Sequence, residues 1–327
     1  MSDLDHPSCA ARATSGATTN LNLSAMIIAG IAWGSGGLFG SLLAAHAHVS
    51  AVAVAACRLL GGGLIVLAGL AIRRPRRETN GSRRLICAVG GLAALFQTGY
   101  FVAVILINVS LATLITIAAA PVLVGLVEIV TGRRRFSLRL AVILTLTIAG
   151  LGLLIGSPIA GVAPAALALG TIAALLSSAS FATMTLIVAR ARSSIAPARL
   201  TGLGFTFGGL LLVPVVAVTG GIDSIMINPS SIAAAVALAL IPTALAYSLY
   251  FRALATIPAT SASVLAVIEP LTAAVLGRVV LGERLALPAL AGGAFLLAAI
   301  VGAAQDAVAT RRAAEHRQST TGSVDGR

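Results

Sequence analysis

Ten apolar runs, each long enough to cross a bilayer as a helix, constrain this chain more than any other feature of its sequence. A transmembrane helix needs about 20 apolar residues to cross ~30 Å of hydrocarbon. Hydrophobic residues make up 58% of the 327 residues and charged residues only 10%, whereas soluble domains are about 25% charged. The sequence therefore predicts an all-α integral membrane protein with ten transmembrane helices. The predicted spans 1 to 10 cover residues 22–44, 50–72, 85–106, 109–130, 138–157, 164–188, 200–219, 231–251, 259–281 and 286–305.

The second half of the chain repeats the first in outline. With Pro121 aligned to Pro270, residues 98–121 lie over residues 247–270 without a gap. Five helices per copy is an odd number, so the second copy must be inverted relative to the first, an arrangement typical of secondary transporters. The predicted division is a disordered cytoplasmic tail over 1–20, a first repeat over 21–158, a second repeat over 159–305 and a cytoplasmic tail over 306–327.

The distribution of arginine predicts the orientation in the membrane. All 22 basic residues are arginine, and 19 of them lie in the two tails or in alternate connections on one side of the spans. The connections on the opposite side hold only Arg284. Because positive charge is retained in the cytoplasm, both termini of this multi-pass protein are predicted to lie on the cytoplasmic side of the cell membrane. The net charge of +12 does not indicate a nucleic-acid partner, since the arginines separate apolar runs and aromatic residues make up only 4% of the chain.

Several residues together resemble one known family. Trp33-Gly34 occurs in span 1, Arg58 in span 2, and a proline in each of spans 4 and 9. The most specific stretch is AVIEPLTAAVLGRVVLGERL, residues 266–285, with its internal proline and its Gly-Glu near the end. These features resemble the drug/metabolite transporter superfamily, specifically its ten-helix EamA-like exporters, over residues 22–305.

The resemblance implies a secondary active transporter for the efflux of a small metabolite, amino acid or drug, and it alone gives the direction of transport. Two positions depart from the family pattern: Glu128 lies inside span 4 instead of after its glycine, and span 6 has no tryptophan to match Trp33. A metabolite importer or exchanger of the same fold is the alternative. The alternatives of another class are a channel, which would conduct without saturating, and an integral membrane enzyme.

An enzyme would need a metal or nucleophile constellation, and the sequence contains no HExxH or equivalent motif. The three cysteines, Cys9, Cys57 and Cys87, form no spaced pairs. We therefore predict no metal site, no cofactor and no catalytic residue. The predicted partners are a small-molecule substrate, the lipid bilayer and, as a coupling ion, the proton.

Arg58 is the first charged residue inside an apolar span. It lies about nine residues into span 2, roughly 13 Å from the membrane edge and near the midplane. A charge there costs at least about 2.5 kcal/mol, so it must face protein or water and have a partner. One interpretation is a structural arginine bonded to backbone carbonyls. The other is an anchor for a substrate carboxylate, for which the guanidinium fork is well suited.

Glu269 is the matching acid in span 9, at a similar depth. Its repeat counterpart is Ala120, so the fold common to both copies does not require an acid there. The following residue, Pro270, lacks a backbone donor and leaves carbonyls that a cavity can use. One interpretation is a salt bridge with Arg58 that holds Glu269 ionised. The other is a coupling residue that takes up a proton when it is desolvated.

Other candidates are polar-tipped groups in otherwise aliphatic helices. The WGSGG motif, residues 33–37, could break span 1 near a cavity. For each tyrosine, packing between helices with a satisfied hydroxyl is the alternative interpretation. The predicted substrate-cavity residues are Trp33, Ser35, Arg58, Gln97, Tyr100, Pro121, Tyr247, Tyr250, Glu269 and Pro270.

Two further predictions concern packing. Glu128, near the cytoplasmic end of span 4, is expected to form an interfacial ion pair with residues 133–135. Glu283 and Arg284 are expected to anchor the outer boundary or to have a packing role common to the family. The pairs Gly30/Gly34 and Gly204/Gly208 have the four-residue spacing that lets helix backbones approach closely. Close approach within the bundle is one interpretation of these pairs, and a homodimer seam is the other.

Overall fold

The computed structural model describes residues 8–73, 83–107, 109–155, 163–191, 195–219, 225–280 and 287–321, and every regular element within these ranges is helical. Glu283, Arg284 and most of the arginine-rich connection between spans 2 and 3 lie outside the described residues. The helices are α1 (Ser8–Gly34), α2 (Gly36–Ala47), α3 (Ala51–Arg73), α4 (Arg83–Ile107), α5 (Val109–Val130), α6 (Leu138–Ile155), α7 (Pro164–Arg190), α8 (Pro197–Val218), α9 (Pro229–Ala239), α10 (Ala246–Ala253), α11 (Ala259–Leu265), α12 (Ile268–Val280) and α13 (Leu287–Thr321), with a π-helical turn at Leu240–Leu245.

These helices confirm the predicted multi-pass, all-α fold. Within the described ranges, nine helical segments are long and apolar enough to cross a membrane, and a tenth, Leu138–Leu154, is apolar but shorter. The predicted spans coincide with them within a few residues. Spans 2 to 7 are α3 to α8 and span 10 is α13. Span 1 is α1 followed by α2, span 8 is α9, the π-helical turn and α10, and span 9 is α11 followed by α12.

Within the described residues, helices extend into both of the predicted tails. Residues 8–20 belong to α1, where a disordered tail was predicted, and α13 continues to Thr321, well past the predicted end of span 10. Once a helix is nucleated, each further residue adds a hydrogen bond at little cost. The alanines of these polar segments favour such an extension, which a count of apolar residues does not reveal.

The two copies pack through repeat-equivalent helices. Span 2 (α3) lies against span 7 (α8), and span 5 (α6) against span 10 (α13). Glycine permits the close approach at both places: a Cβ on Gly209 would lie 2.5 Å from the backbone nitrogen of Leu60, and one on Gly292 would lie 2.5 Å from that of Leu154. Because each pair joins a helix to its own counterpart, the copies meet about an approximate two-fold axis.

Three spans are interrupted near their middles. Span 1 breaks at Ser35, span 8 contains the π-helical turn, and span 9 breaks between α11 and α12. The break in span 1 confirms the expectation from the WGSGG motif. By contrast, α5 is continuous through Pro121, the counterpart of Pro270. The interruptions therefore differ between the two copies, and they surround the charged residues described next.

Candidate functional site

Arg58 lies on α3 in the middle of the bundle and is only partly exposed. Its Nε donates a hydrogen bond to Oγ1 of Thr243, in the π-helical turn, over 3.4 Å. Within the part of the chain that the structure describes, no other hydrogen bond and no ion pair engages its guanidinium. The backbone carbonyls that a purely structural arginine would use are therefore not its partners here.

Glu269 lies in the first turn of α12 and is also only partly exposed. It is near enough to Arg58 for the two charges to interact, but no direct salt bridge joins them. Its carboxylate makes no hydrogen bond to any residue among those described. The permanent ion pair considered from the sequence is thus not formed, and two opposite charges share the centre of the bundle without neutralising each other directly.

Two of the predicted tyrosines lie within electrostatic reach of both charges. Tyr100 and Tyr247 each interact with Arg58 and with Glu269. The Tyr100 hydroxyl is also bonded to Oγ1 of Thr113 on α5, at 2.8 Å. No hydrogen bond of the Tyr247 hydroxyl is found among the described residues. Four residues predicted separately, on α3, α4, α10 and α12, therefore converge on one site.

An aromatic cluster forms one wall of this site. The ring of Trp33 lies 4.9 Å from Tyr247 and 4.9 Å from Tyr250, centroid to centroid, and 6.2 Å from Phe181. Tyr250 is fully buried, and its hydroxyl is bonded to Thr185 of α7 over 2.9 Å. This bond is the interhelical packing role that the sequence offered as the alternative for the tyrosines, and Tyr100 has the same kind of bond.

Phe181 was missed because phenylalanine has no polar tip to mark it within an apolar span. It stacks on Tyr250, with centroids 5.8 Å apart, and lies 5.6 Å from Phe96. A usable signal exists in the sequence. Span 6 has no tryptophan to match Trp33, and the segment noted for this, LLSSASF, ends at Phe181. The ring beside Trp33 is that of Phe181.

Two polar donors beside this site have no acceptor among the described residues. Nε1 of Trp33 and Nε2 of Gln97 are buried, with side chains 4% and 3% exposed, and neither finds an acceptor among the described residues. A buried donor without an acceptor costs about 1–3 kcal/mol. Such groups are expected in a site that completes its hydrogen bonds only when a ligand binds.

The breaks in spans 1 and 9 lie directly against each other. A Cβ on Gly30 would lie 2.6 Å from Cβ of Ile268, and one on Gly34 would lie 2.8 Å from the carbonyl oxygen of Glu269. The Gly30/Gly34 pair therefore serves close approach within the bundle, and so does Gly204/Gly208, where a Cβ on Gly208 would lie 2.6 Å from the carbonyl oxygen of Gly90.

The remaining predicted residues have local structural contacts. The Ser35 hydroxyl donates to the carbonyl of Ala32 over 2.7 Å, which uses its hydrogen at the break in span 1. Pro270 is buried in α12, and since it has no N–H, the carbonyl of Ala266 accepts from the amide of Glu269 instead, over 3.0 Å. Pro121 is buried within α5.

Charged contacts between the copies occur at one end of the bundle, here called the arginine-rich end. The connections between spans 4 and 5 (the 4/5 connection), spans 6 and 7, and spans 8 and 9 lie there. Arg134 forms an ion pair with Asp306 of α13 over 2.7 Å, and Ser261 of α11 donates to the same carboxylate over 3.0 Å. The Glu128 carboxylate accepts from the backbone amide of Thr260 over 3.3 Å and from its hydroxyl.

The expected ion pair of Glu128 with residues 133–135 is therefore wrong. The backbone carbonyl of Glu128 accepts from the amides of Arg133 and Arg134, over 2.9 and 3.0 Å, as the helix ends in a tight turn. Its carboxylate points instead to α11 of the other copy. Asp306 was missed because it lay in the predicted tail, one residue beyond the assigned end of span 10.

A cavity of about 440 Å³ opens at the opposite end of the bundle, here called the far end. Residues of α2, α3, α8 and α9 and of the segment 225–227 line it, and these are mostly aliphatic apart from Cys57, Met226 and Ser231. None of the ten predicted substrate residues is in its wall. It therefore lies apart from the site around Arg58 and Glu269.

Two inverted five-helix copies, three broken spans and a central arginine and glutamate that form no ion pair among the described residues define a multi-pass membrane transporter built from a duplicated unit. The sequence matches the EamA-like transporter family over residues 21–156 and again over 168–304, which cover both copies. The chain belongs to the EamA-like transporter family.

Relatives among known proteins agree with this membership. The Uncharacterized transporter YwfM of Bacillus subtilis is 31% identical over 263 residues, covering 80% of this chain and 86% of that protein. The Uncharacterized inner membrane transporter YicL of Salmonella typhimurium is 27% identical over 308 residues, covering 91% and 99%. A protein of known crystal structure superposes with a TM-score of 0.72 at 19% identity over 88% of this chain and 98% of its own, which shows the fold alone.

Proposed function

We propose that this protein is a secondary active transporter that exports a small metabolite, amino acid or drug across the cytoplasmic membrane by alternating access. The observation that carries the proposal is that a basic and an acidic side chain, Arg58 and Glu269, meet at the junction of the two copies without forming a salt bridge. Placing a charge at this depth costs at least about 2.5 kcal/mol. A binding or coupling role explains why the fold keeps two such charges without pairing them.

Arg58 is the proposed anchor for a carboxylate of the substrate. A guanidinium presents its donors in a planar fork that matches the two oxygens of a carboxylate. The Trp33, Tyr247 and Tyr250 rings beside it suit the apolar part of a small organic molecule. Nε1 of Trp33 and Nε2 of Gln97, which have no acceptor among the described residues, are the proposed hydrogen-bond donors to the substrate.

Glu269 is the proposed coupling residue. An acid in a cavity that closes during the cycle loses its water, and desolvation favours its neutral, protonated form. When the cavity opens, water returns and the proton can leave. Transport of the substrate out of the cell would then be driven by proton entry, with Arg58 and Glu269 binding their ligands in alternation.

In alternating access, the two ends of the helix bundle open in turn to the two sides of the membrane. At the arginine-rich end, the contacts of Asp306 with Arg134 and of Glu128 with Thr260 join the copies; the cavity of the far end is separate from the central site and is not the proposed access path. The breaks in spans 1, 8 and 9 lie between these ends and provide places where the halves of a span can move separately. We place the arginine-rich end in the cytoplasm, together with both termini.

Counterflow in proteoliposomes tests the proposal. Vesicles loaded with one unlabelled compound from a panel of amino acids and drugs are diluted into a trace of the labelled compound. A carrier accumulates the label transiently and saturates. Flux that rises linearly with concentration and shows no counterflow would indicate a channel and contradict the proposal. Counterflow without any response to a pH gradient would favour the exchanger.

A further inference from the structure

The hydroxyl of Thr243, in the π-helical turn of span 8, makes two hydrogen bonds. The turn covers Leu240–Leu245 and contains Pro242, which has no N–H to give to the carbonyl of Leu238. The Thr243 hydroxyl donates to that carbonyl instead, over 2.9 Å. A hydroxyl has one hydrogen and two lone pairs. Because the hydrogen is used by Leu238, the oxygen is left as an acceptor, and it accepts from Nε of Arg58.

Glycine on α3 brings Arg58 to this acceptor. Gly62 follows Arg58 by four residues, so both lie on one face of the helix. A Cβ on Gly62 would lie 2.5 Å from Cγ2 of Thr243, and one on Gly61 would lie 3.0 Å from Cβ of Ala239. The methyl of Thr243 therefore packs on the bare backbone at Gly62 while its hydroxyl reaches Arg58 one turn away.

This contact decides which part of the guanidinium remains for a ligand. An arginine has five N–H donors, one on Nε and two on each terminal nitrogen. Thr243 accepts from Nε, and the terminal nitrogens have no partner among the described residues. The end of the fork, formed by Nη1 and Nη2, is thus the edge left to receive the two oxygens of a carboxylate.

We infer that Thr243 is a positioning residue, which holds the guanidinium of Arg58 through Nε so that its Nη1 and Nη2 edge binds the carboxylate of a small anionic or zwitterionic substrate. This inference rests on the proposed function of Arg58 as the substrate anchor. Without the Thr243 hydroxyl, Arg58 can rotate and its donors are no longer fixed. The loss should fall on carboxylate ligands and leave uncharged analogues unaffected.

Trp33 is the only tryptophan of the chain and lies in the aromatic wall of the site, so its fluorescence reports binding. Purified full-length protein in detergent is titrated with butyrate and with butyramide, its uncharged analogue. We expect Thr243→Val to raise the Kd for butyrate about tenfold, which corresponds to the loss of roughly one charged hydrogen bond. Thr243→Ser, which keeps the hydroxyl, should remain within about twofold of wild type.

Thr147→Val is the matched control. Thr147 is also fully buried, and its hydroxyl also donates to a backbone carbonyl of its own helix, that of Ile143, over 2.8 Å, but it lies on α6. It should leave butyrate binding unchanged. If Thr243→Val does not fold, Thr243→Ser and Thr243→Ala provide the comparison, since both are smaller than threonine and differ from each other only in the hydroxyl.

Equal butyrate affinity in the hydroxyl-bearing and hydroxyl-lacking variants would overturn the positioning role. Absence of butyrate binding to the wild-type protein would overturn the assigned substrate class. Neither result would touch the transporter proposal itself, because counterflow with the compound panel is measured separately and does not depend on a carboxylate. A loss of butyramide binding equal to that of butyrate would show a general distortion of the site and would equally contradict the inference.

Discussion

Arg134 and Asp306 form a largely buried ion pair, 2.7 Å between nitrogen and oxygen, that joins the 4/5 connection of the first copy to the last helix of the second. Each side chain is 14% exposed, so water screens the pair little. Together with the bond from Ser261 to the same carboxylate, it closes the arginine-rich end of the bundle. In the proposed alternating-access cycle, opening of that end would require these contacts to break.

Asp306→Asn should therefore destabilise the closed arginine-rich end. The amide keeps the shape but loses the charge, and a charged hydrogen bond contributes about 1.5–3 kcal/mol. We expect a lower midpoint of thermal unfolding in detergent. The control is Arg139→Gln, which removes an exposed arginine whose side-chain partner is the neutral Gln305. Equal midpoints for the two variants would show that the ion pair does not hold this end together.

Arg58→Lys separates charge from geometry at the proposed anchor. Lysine keeps the positive charge but loses the planar fork and the Nε donor to Thr243. We expect normal membrane insertion and a loss of counterflow of at least about tenfold for carboxylate substrates. Arg252→Lys, at an exposed position on α10, is the control. Unchanged substrate affinity in Arg58→Lys would assign Arg58 a structural role.

Tyr250→Phe should reduce stability more than Tyr247→Phe. Removing the Tyr250 hydroxyl leaves the fully buried hydroxyl of Thr185 without its bond, at a cost of about 1–3 kcal/mol. The Tyr247 hydroxyl makes no hydrogen bond among the described residues, so its loss should affect binding before stability. Thermal unfolding of both variants checks the order. A lower midpoint for Tyr247→Phe would contradict it.

Orientation can be measured at two exposed positions. Ile227 is 80% exposed at the far end, and Phe136 is 69% exposed at the arginine-rich end. In a variant with Cys9, Cys57 and Cys87 replaced by serine, a membrane-impermeant maleimide added to intact cells should label Ile227→Cys but not Phe136→Cys. If both cysteine variants are labelled in intact cells and also in inverted vesicles, the reagent has leaked across the membrane. Labelling of Phe136→Cys but not of Ile227→Cys in intact cells would overturn the cytoplasmic placement of the termini.

The spans, their duplication and the central charges could be predicted from the sequence because each has a strong local signal. A charge such as Arg58 is conspicuous in an apolar run, and the rise of about 1.5 Å per helical residue gives its depth. The π-helical turn could not be predicted, since the sequence does not show that Thr243, beside Pro242, packs against the distant Gly62. The Arg134–Asp306 pair was also hidden, because the sequence does not show which of many arginines meets an acid 172 residues away.

Proton-driven transport by Glu269→Gln tests the central claim most directly. Glutamine mimics the protonated acid, so the variant cannot release a proton. It should retain counterflow, which needs only the movement of the loaded carrier, and lose accumulation driven by a pH gradient. Because no salt bridge joins Glu269 to Arg58, the variant should also fold as stably as the wild type. Wild-type accumulation driven by a pH gradient in this variant would contradict the proposed coupling role of Glu269.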